Sequence, residues 1–594
     1  MCGICGSWDF KDDATESVVQ SLVTSLEHRG PDSSGLKNFP KSKFAMGHTR
    51  LAIIDPFGPS QPMTSSTGRF TIVFNGEIYN YEELRKGLTY NFKTAGDTET
   101  ILALWESEAE LCLKKLRGQF AFAIFDEELE QITFVTDAFG ILPLHVYDGD
   151  EGLIFSSTAS SISKVLGTFK PDLNSIPQLL TTRAVVAPQT PYLDIRRLPP
   201  GAIWKYGKLG KTERKWAQDW SEIRPSPTDD NSHLELVKLL NTAAERAIVS
   251  DVKVGVFLSG GLDSAIIAKL AQSNFSYPMN SYTAVWPNNE SDSELKEASR
   301  TAELLGLKSH IVEISAEKWW SAFEDAAQYR DAPLSEPADA VIFALSAEAK
   351  KDVKVVLTGE GADELFGGYK KNRIETLTQV PGFIELSKFL LASGVANRSE
   401  KLERLFFSCS TQEKYLRWNR YFANHWNFEF TELPTHTHDK FLEDSLRGMR
   451  LFDLENWLPN LLLDRADRLA MAHGLEMRPL FLDIDVANFA LKLPSRDLYS
   501  WRRSKPLLRQ AALEILPNEL VSRKKLGFPI PISDWFANSL SENVEAVLSQ
   551  ESLIMDQYVS RTERLKLFAL HKSGKRLSPM KIFTLVSIMK WLDQ

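Results

Sequence analysis

The stretch KVGVFLSGGLDSAIIAKLAQ, which runs from Lys253 to Gln272, decides the fold of the larger part of this chain. It joins an apolar strand to a glycine-rich turn and then to a helix. The strand MNSYTAVW, the helix Ser293–Leu305 and the strand Val353–Gly361 continue the same rhythm. Strands that alternate with helices favour a parallel sheet with right-handed crossovers. We therefore predict a parallel α/β domain, followed from about Phe389 by a mainly helical extension.

The residues before this stretch have a different pattern of short β-type runs separated by turn signals. Examples are FTIVFNG from Phe70, FAFAIFD from Phe120 and ITFVTD from Ile132. This pattern predicts antiparallel strands with interspersed helices such as Glu16–His28. A polar segment rich in Gly, Lys and Pro follows and is typical of a linker. We predict a first domain over residues 1–205, a linker over residues 206–232 and a second domain over residues 233–594.

Composition limits the classes of protein to which the chain can belong. Of its 594 residues 43% are hydrophobic and 25% charged, as in ordinary globular proteins. The net charge of −9 argues against a nucleic-acid-binding surface. The sequence contains no run of about 18 apolar residues and no signal-peptide pattern, so we expect a cytoplasmic protein without a membrane partner. Four cysteines, which are Cys2, Cys5, Cys112 and Cys409, are too few for a disulfide framework.

The chain begins MCGICG, so removal of the initiator methionine would expose Cys2 as the N-terminal residue. One residue would then hold both a nucleophile and a base, because a terminal α-amine with a pKa near ~8 can accept the thiol proton. Two alternatives remain: a buried structural cysteine at the start of a strand, or a metal half-site formed with Cys5. No second pair of cysteines or histidines has the spacing of a zinc site.

Four motifs behind Cys2 carry a resemblance to a known family. They are HRGPD from His28, HTRLAIID from His48, FNGEIYN from Phe74 and GDTET from Gly96. Together they resemble the glutaminase domain of class II glutamine amidotransferases, as found in the glutamine-hydrolysing asparagine synthetase family. The resemblance implies an Ntn-type αββα sandwich and hydrolysis of glutamine at Cys2.

Free glutamine carries an α-carboxylate that needs a cation and an α-ammonium that needs a carboxylate. The tetrahedral oxyanion formed on attack needs fixed N–H donors. The resemblance implies that Arg50 and Asp97 hold the two α-groups and that Asn75 and Gly76 form the oxyanion hole. The further glutamine-contacting positions that it implies are Leu51, Ile53, Ile54 and Glu77.

The motif LSGGLDS, from Leu258 to Ser264, lies between a strand and a helix. A glycine-rich turn at a helix N-terminus presents backbone N–H groups to a phosphate. Gly260 and Gly261 permit close approach, and the hydroxyls of Ser259 and Ser264 can donate to phosphate oxygens. The motif lacks the lysine of a Walker A loop. It resembles the pyrophosphate-binding loop of the ATP pyrophosphatases, which transfer AMP to a carboxylate or carbonyl.

Pyrophosphate is highly charged and needs Mg²⁺ held by carboxylates. Asp263 supplies one carboxylate. The resemblance implies that LTGEGADELFGGY, from Leu357, supplies Asp363 as the second magnesium ligand and Glu360 for formation of the acyl-adenylate. An isolated GEGADE could instead be an acidic helix start. The other nucleotide-binding positions implied by the resemblance are Leu258, Ala284, Thr358 and Gly359.

Three later stretches, Asp464–Asp483, Lys505–Pro517 and Ser522–Pro531, resemble the family's C-terminal signatures. In the last of them Lys525 matches a lysine that lies near the α-phosphate. The chain also departs from the family. In the segment TDAFGILPLHVY, Thr136 and Leu142 stand where family members commonly have an arginine and a lysine. The segment EMRPLFLD has its proline one place earlier than is usual in the family.

The resemblance implies an enzyme with two half-reactions. Cys2 releases ammonia from glutamine, and ATP with Mg²⁺ adenylates an acceptor carboxylate from which ammonia displaces AMP. Aspartate, converted to asparagine, is the leading acceptor. The alternatives are another carboxylate, such as a sugar acid or a biosynthetic intermediate, and a non-catalytic regulatory homologue. Only small-molecule partners are expected, apart from a homodimer, which is common in the family.

Overall fold

A computed structural model describes residues 1–9, 15–58, 61–167, 169–208, 210–287, 293–378, 444–499, 503–523, 530–574 and 578–593, with a few isolated positions between 382 and 393. The unassigned stretch Thr411–Phe441 lies outside the described residues. No helix of the described part is long and apolar enough to span a membrane.

Two six-stranded antiparallel sheets form the N-terminal part of the chain. The first has the order β10-β8-β9-β1-β3-β2. Its strands are β1 Gly3–Trp8, β2 Ser33–Phe39, β3 Phe44–Arg50, β8 His145–Gly149, β9 Gly152–Ser156 and β10 Ile195–Arg197. The second has the order β12-β11-β7-β6-β5-β4. Its strands are β4 Met63–Thr64, β5 Phe70–Ile78, β6 Gly118–Asp126, β7 Gln131–Thr136, β11 Ala202–Gly207 and β12 Gly210–Lys215.

The two sheets pack face to face, and helices cover their outer faces. Helix α1 (Thr15–Ser25) packs on β1 and β3, and helix α3 (Asp97–Glu108) packs on β5. Nearly every residue of β5 and β6 is buried, because one face meets the other sheet and the second face is covered. The predicted αββα sandwich is confirmed.

Part of the predicted linker forms a hairpin of β11 and β12. Its twelve strand residues, six on each side of the turn, pair throughout in antiparallel register, from Ala202 opposite Lys215 to Gly207 opposite Gly210. The second sheet therefore includes residues 206–207 and 210–215, which the sequence pattern predicts to be part of the linker. The charged residues of this segment had suggested a linker, but all of β12 is exposed at the sheet edge, where charged side chains are tolerated.

A five-stranded parallel sheet forms the centre of the second part, in the order β15-β14-β13-β16-β17. Its strands are β13 Val254–Phe257, β14 Asn280–Val285, β15 Lys308–Glu313, β16 Val355–Thr358 and β17 Glu476–Pro479. All four pairings are parallel, which confirms the predicted fold class. Because β13 and β16 are neighbours, the loops that follow them meet at one edge of the sheet, where ligands bind in open α/β folds.

The remaining helices surround these sheets. In chain order they are α2 Tyr81–Lys86, α4 Ala159–Val165, α5 Ser175–Thr182, α6 Ser232–Ala247, α7 Leu262–Gln272, α8 Ser293–Leu305, α9 Ala316–Ala327, α10 Ala338–Ala349, α11 Ala362–Phe366, α12 Lys370–Thr378, α13 Ser445–Phe452, α14 Asp464–Met471, α15 Ile484–Lys492, α16 Ser495–Leu498, α17 Pro506–Leu513, α18 Asn518–Val521, α19 Ile532–Ala537, α20 Ser541–Leu548, α21 Arg561–Lys572 and α22 Pro579–Leu592. The described part after residue 444 is mainly helical, as predicted.

A π-helical segment, Asp453–Leu463, joins α13 to α14 and contains Pro459. Proline has no N–H to donate and its ring crowds the preceding turn, so the local hydrogen bonds follow the wider i→i+5 pattern of a π-helix. The segment brings Trp457 and Leu462 to the open edge of the parallel sheet.

Buried ion pairs join the two parts of the chain. Arg29 forms two 2.9 Å hydrogen bonds with Asp467, and Arg197 lies 3.1 Å from Asp464. A buried charge requires a paired partner, so these contacts fix the relative position of the sandwich and the parallel sheet.

Candidate active sites

Cys2 directly precedes β1 and is 8% exposed. Its backbone N–H donates to Asn75 Oδ1 at 2.7 Å, and its carbonyl accepts from Arg29 Nε at 3.1 Å. The Sγ atom lies 3.9 Å from the carbonyl oxygen of Leu51. Burial raises the pKa of the Cys2 thiol, although the nearby N-terminal ammonium opposes the rise. The thiol therefore needs a base before it can act as a nucleophile.

Asn75 and Gly76 belong to β5 and lie beside Cys2. While Asn75 Oδ1 accepts from Cys2, the buried Nδ2 has no hydrogen-bond partner among the described residues. Gly76 has a φ of 150°, and a Cβ there would lie 2.3 Å from the carbonyl oxygen of Gln119. Only glycine can occupy this position without moving β6. The strand thus holds a spare N–H donor next to the thiol, as an oxyanion hole requires.

Two carboxylates that the sequence assigned to glutamine binding lie nearby. Asp97, at the start of α3, accepts the N–H of Ile78 at 2.9 Å. Burial raises the pKa of Asp97 to about 6, although backbone donors oppose the shift. Burial also raises the pKa of Glu77 well above its usual value, together with the charges of Asp97 and Glu476. These acids would gain from a cationic ligand.

Arg50 makes contacts within its own loop. Its guanidinium donates to the carbonyl oxygens of Gly58 at 2.8 Å, Asp55 at 2.6 Å and Ile54 at 3.3 Å. The loop also contains Ile53 and Leu51, which are 2% and 3% exposed. Arg50 therefore fixes the loop whose backbone approaches Cys2.

The second domain also reaches the Cys2 site. Met1 donates its terminal ammonium to Glu476 Oε2 at 2.6 Å, and Arg478 lies 2.6 Å from Glu476 and 3.3 Å from Glu77. Glu476 and Arg478 belong to β17 and are fully buried. One wall of the Cys2 site is thus built by the edge strand of the parallel sheet.

The predicted nucleotide residues line one cleft of about 430 Å³ at the edge of the parallel sheet. Those that line it are Leu258, Ser259, Asp263, Ser264, Ala284, Thr358, Gly359, Glu360 and Asp363. Gly260 and Gly261 complete the turn before α7. The Ser259 and Ser264 hydroxyls lie 3.0 Å apart, and the N–H of Gly261 donates to Ser259 Oγ at 3.2 Å. These bonds fold the loop around the helix N-terminus, where an anion is stabilised.

Lys505 bridges the two carboxylates assigned to magnesium. Its ammonium lies 2.7 Å from Asp263 Oδ2 and also contacts Asp363 Oδ1. A Cβ on Gly368 would collide with both Asp363 and Lys505, so glycine allows this close approach. Two carboxylates that share one cation have the charge and spacing to share another, so these residues fit a divalent ion.

No group of three or more His, Cys, Asp or Glu side chains in the described part has the arrangement of a metal site. Magnesium is commonly held by one or two carboxylates and completed by water and substrate phosphates. The pair of Asp263 and Asp363 matches that pattern.

The rest of the cleft carries side chains to which the sequence patterns assigned no role. These include Glu336, Glu364, Tyr369, Trp457, Leu462 and Arg465. Glu360 Oε2 is buried and has no hydrogen-bond partner among the described residues. Lys525, the remaining predicted catalytic residue, lies outside the described residues.

A narrow cavity lies between the two sites. It is lined by Met1, Ile141, Leu142, Thr358, Glu360, Leu463, Ala466, Asp467, Met477 and Pro479. Met1 adjoins Cys2, whereas Thr358 and Glu360 also line the cleft. Leu142, which replaces a lysine common in the family, is fully buried and makes this wall apolar.

Comparison with known proteins assigns both parts of the chain. A family model described as asparagine synthase matches residues 235–593, and one described as a glutamine amidotransferase domain matches residues 1–217. The chain belongs to the asparagine synthase family. It is thus a member of the glutamine-dependent amidotransferases of the asparagine-synthase type, which use ATP.

Two relatives of this asparagine synthase family member cover at least 91% of its length. Glutamine-hydrolysing asparagine synthetase 1 of Bacillus subtilis is 30% identical, with 100% of this chain and 96% of the relative covered. Amidase chry2 of Gibberella zeae is 25% identical, with coverage of 91% and 89%. The solved glutamine phosphoribosylpyrophosphate amidotransferase of B. subtilis is 19% identical, with coverage of 52% and 65%. The TM-score of this match is 0.28.

Sequence reasoning about this family member missed Lys505, Glu476 and Arg478 as site residues. All three lie in stretches that had been singled out, KPLLRQAALEILP and LEMRPLFLD, but neither stretch indicated what their charges would contact. A basic residue directly before the proline that begins α17 was the available signal for Lys505.

Proposed function

We propose that this protein hydrolyses glutamine at Cys2 and uses the ammonia to amidate a carboxylate that it has activated as an acyl-adenylate with ATP and Mg²⁺. The observation that carries the proposal is the cavity that adjoins Met1 beside Cys2 at one end and Glu360 at the other. A cavity that connects a glutaminase site to an adenylating site is expected if ammonia released at the first site reacts at the second.

In the glutaminase half-reaction the α-amine of Cys2, free after removal of Met1, takes the thiol proton. The thiolate attacks the side-chain amide carbon of glutamine, the α-ammonium of Cys2 gives its proton to the leaving nitrogen, and ammonia departs. Water then hydrolyses the thioester to glutamate and restores the thiol. Asn75 Nδ2 and the backbone of Gly76 stabilise the oxyanion. Asp97 pairs with the α-ammonium, and Arg50 with the α-carboxylate. Arg50 Nη2 donates to the carbonyl oxygens of Ile54 and Asp55, whereas Nη1 uses one N–H for Gly58 and has a second N–H for the ligand.

In the adenylating half-reaction the acceptor carboxylate attacks the α-phosphate of ATP and pyrophosphate leaves. The loop from Ser259 to Ser264 holds the pyrophosphate portion, and Thr358 and Gly359 hold the nucleotide. Asp263 and Asp363 would hold Mg²⁺, which neutralises charge on the pyrophosphate when bound. Glu360 faces the acceptor, and Lys525 is proposed to stabilise charge at the α-phosphate.

Ammonia then displaces AMP from the acyl-adenylate. In bulk water ammonia would be protonated and lost, so an enclosed route between the sites protects it. Most residues that line the cavity are apolar, including Leu142, Ala466 and Met477, which supports that use; Thr358, Glu360 and Asp467 are the polar ones.

Aspartate is the leading acceptor, because relatives named asparagine synthetase match the whole chain. An acceptor lacking the α-carboxylate or the α-ammonium should then be rejected, since it would leave buried polar groups unpaired. The deciding experiment supplies purified protein with glutamine, ATP, Mg²⁺ and a panel of carboxylates, and measures AMP, pyrophosphate and amide product. Asparagine formed at a rate comparable with glutamate release supports aspartate.

Other outcomes of the same experiment correct the proposal. AMP formation with a sugar acid or a biosynthetic intermediate, but not with aspartate, would assign a different acceptor to the same chemistry. If the protein neither hydrolyses glutamine nor consumes ATP with any acceptor, it is a non-catalytic regulatory homologue.

A further inference from the structure

A carboxylate of the second domain holds the N-terminus of the chain. Glu476 Oε2 accepts the ammonium of Met1 at 2.6 Å, and the two side chains are 0% and 1% exposed. We propose that Glu476 is a positioning residue of the glutaminase half-reaction and receives the α-amine of Cys2 once Met1 has been removed. This inference rests on the proposed function, in which that amine is the base.

The geometry around Cys2 leaves Glu476 as the second acceptor for the amine. Removal of Met1 moves the terminal nitrogen by one residue, about 3.8 Å along the chain. Cys2 itself is fixed, because its nitrogen donates to Asn75 Oδ1 and its carbonyl accepts from Arg29. The new amine therefore faces the space that Met1 filled, with Glu476 on its far side. Since Met1 N lies 2.6 Å from Glu476 Oε2, we infer that a water molecule in the space vacated by Met1 joins the new amine to Glu476.

Two acceptors determine the direction of the amine lone pair. A neutral amine has two N–H groups and one lone pair. If Asn75 accepts one N–H and Glu476 the other, the lone pair is left with the one remaining direction. General-base catalysis depends on this orientation, because the proton must pass along the line from Sγ to nitrogen. Glu476 thus fixes the rotation of the amine without contacting glutamine.

Glu476 is itself rigidly held. Arg478 Nε donates to Glu476 Oε1 at 2.6 Å, and Arg478 Nη1 donates to the carbonyl oxygens of Ala247 at 2.8 Å and Val249 at 2.7 Å. Burial opposes ionisation of Glu476, but the terminal ammonium and Arg478 outweigh it and hold its pKa below the usual value. After Met1 has been removed, Arg478 still holds the carboxylate in place beside the site where the new amine forms.

The pH dependence follows from all the charges around the amine. The titratable and charged groups that face this region are Arg29, His48, Arg50, Glu77, Tyr79, Asp97, Asp467, Glu476 and Arg478. The negative charge of Glu476 favours the protonated amine and the protonated thiol. Neutralising it lowers both pKa values, so the acid limb of the glutaminase profile should move to lower pH.

The test compares the mature enzyme, with removal of Met1 verified by mass, in four forms. These are wild type, Glu476→Gln, Glu476→Asp and the control Asp331→Asn. Asp331 is also a buried carboxylate at the domain interface, where it pairs with Arg468 and accepts the N–H of Ala159 at 2.6 Å. Glutaminase kcat and KM and the rate of Cys2 alkylation by iodoacetamide are measured against pH. Ammonia-dependent pyrophosphate release reports whether each form is folded.

We expect Glu476→Gln to lower glutaminase kcat by at least about tenfold with little change in KM. Its acid limb and its alkylation profile should both move to lower pH. Glu476→Asp should lower kcat but keep the wild-type limb, because it keeps the charge and shortens the reach. Asp331→Asn should resemble wild type in both profiles.

Three results would overturn the inference: wild-type kcat and pH profiles in Glu476→Gln, the same changes in Asp331→Asn, or, if Glu476→Gln does not fold, unchanged kcat in Glu476→Asp. A wild-type enzyme that hydrolyses no glutamine would instead refute the proposed function, so the two failures are distinguishable.

Discussion

The backbone N–H of Cys2 donates to the side-chain oxygen of Asn75 at 2.7 Å, which turns the amide nitrogen of Asn75 away from Cys2 N. That nitrogen is buried and has no hydrogen-bond partner among the described residues. Burying an N–H donor without a partner costs about 1–3 kcal/mol. One side chain therefore positions the nucleophile and keeps a donor in reserve for the negative charge that develops on glutamine.

Asn75→Asp should lower glutaminase kcat by about 10²–10³-fold, because the donor is replaced by a charged acceptor. Ammonia-dependent product formation should remain. Glutamate release measures the effect. Asn80→Asp is the matched control, since Asn80 binds the backbone of Lys115 and Arg117 at the end of the same motif. Wild-type glutaminase activity in Asn75→Asp would remove Asn75 from the oxyanion hole.

Cys2→Ala should abolish glutamine-dependent product and leave ammonia-dependent product, because the two half-reactions use separate sites. Cys5→Ala controls for the loss of a buried thiol in the same strand, since Cys5 is fully buried in the core. Both activities are followed by amide product and glutamate release. Glutaminase activity that survives in Cys2→Ala would show that the nucleophile lies elsewhere.

Asp263→Asn and Asp363→Asn should each abolish ATP–pyrophosphate exchange and leave glutaminase activity intact. Lys505→Met should lower the free energy of unfolding by about 3 kcal/mol, because it leaves two carboxylates facing each other in a largely buried site. Mg²⁺ should then raise the melting temperature of Lys505→Met more than that of wild type. Normal exchange in either aspartate variant, or no added effect of Mg²⁺, would argue against the metal assignment.

The KM for glutamine should rise as the pH falls through about 6, the pKa to which burial raises Asp97. Below that pH the protonated carboxyl no longer attracts the α-ammonium of glutamine. With a single group the rise is about tenfold at one pH unit below the pKa. Steady-state kinetics between pH 5 and 8 measure the effect. In Asp97→Asn, KM should be high and independent of pH, so a variant that retains the wild-type dependence would contradict the assignment.

Ala466→Leu should narrow the cavity between the sites and lower glutamine-dependent product relative to glutamate released. Glutaminase activity and ammonia-dependent synthesis should both persist, because each site remains intact. Ala470→Leu is the control for overpacking, which costs about 1–3 kcal/mol, since Ala470 is fully buried on the same helix but does not line the cavity. Equal product and glutamate in Ala466→Leu would indicate another route for ammonia.

Local sequence patterns predict the local structure and the order of the elements. The glycine-rich turn between an apolar strand and a helix predicted β13 and α7, and the helix Ser293–Leu305 has the predicted bounds. Alternation of strand and helix determined the parallel sheet, because a crossover helix must pack back onto the sheet that it leaves. The predicted helix Glu16–His28 ends earlier, at Ser25, since the chain turns there to bring Arg29 to Cys2.

Which charged side chains contact each other depends on the three-dimensional packing of the chain. The ammonium of Lys505 lies between Asp263 and Asp363, and Glu476 holds an N-terminus from which it is separated by most of the chain. Periodicity and propensity report the backbone conformation and the buried face of one segment, which depend on neighbouring residues. A buried charge depends instead on a partner brought to it by packing, because water no longer stabilises it. That partner can lie anywhere along the chain, so local sequence does not specify it.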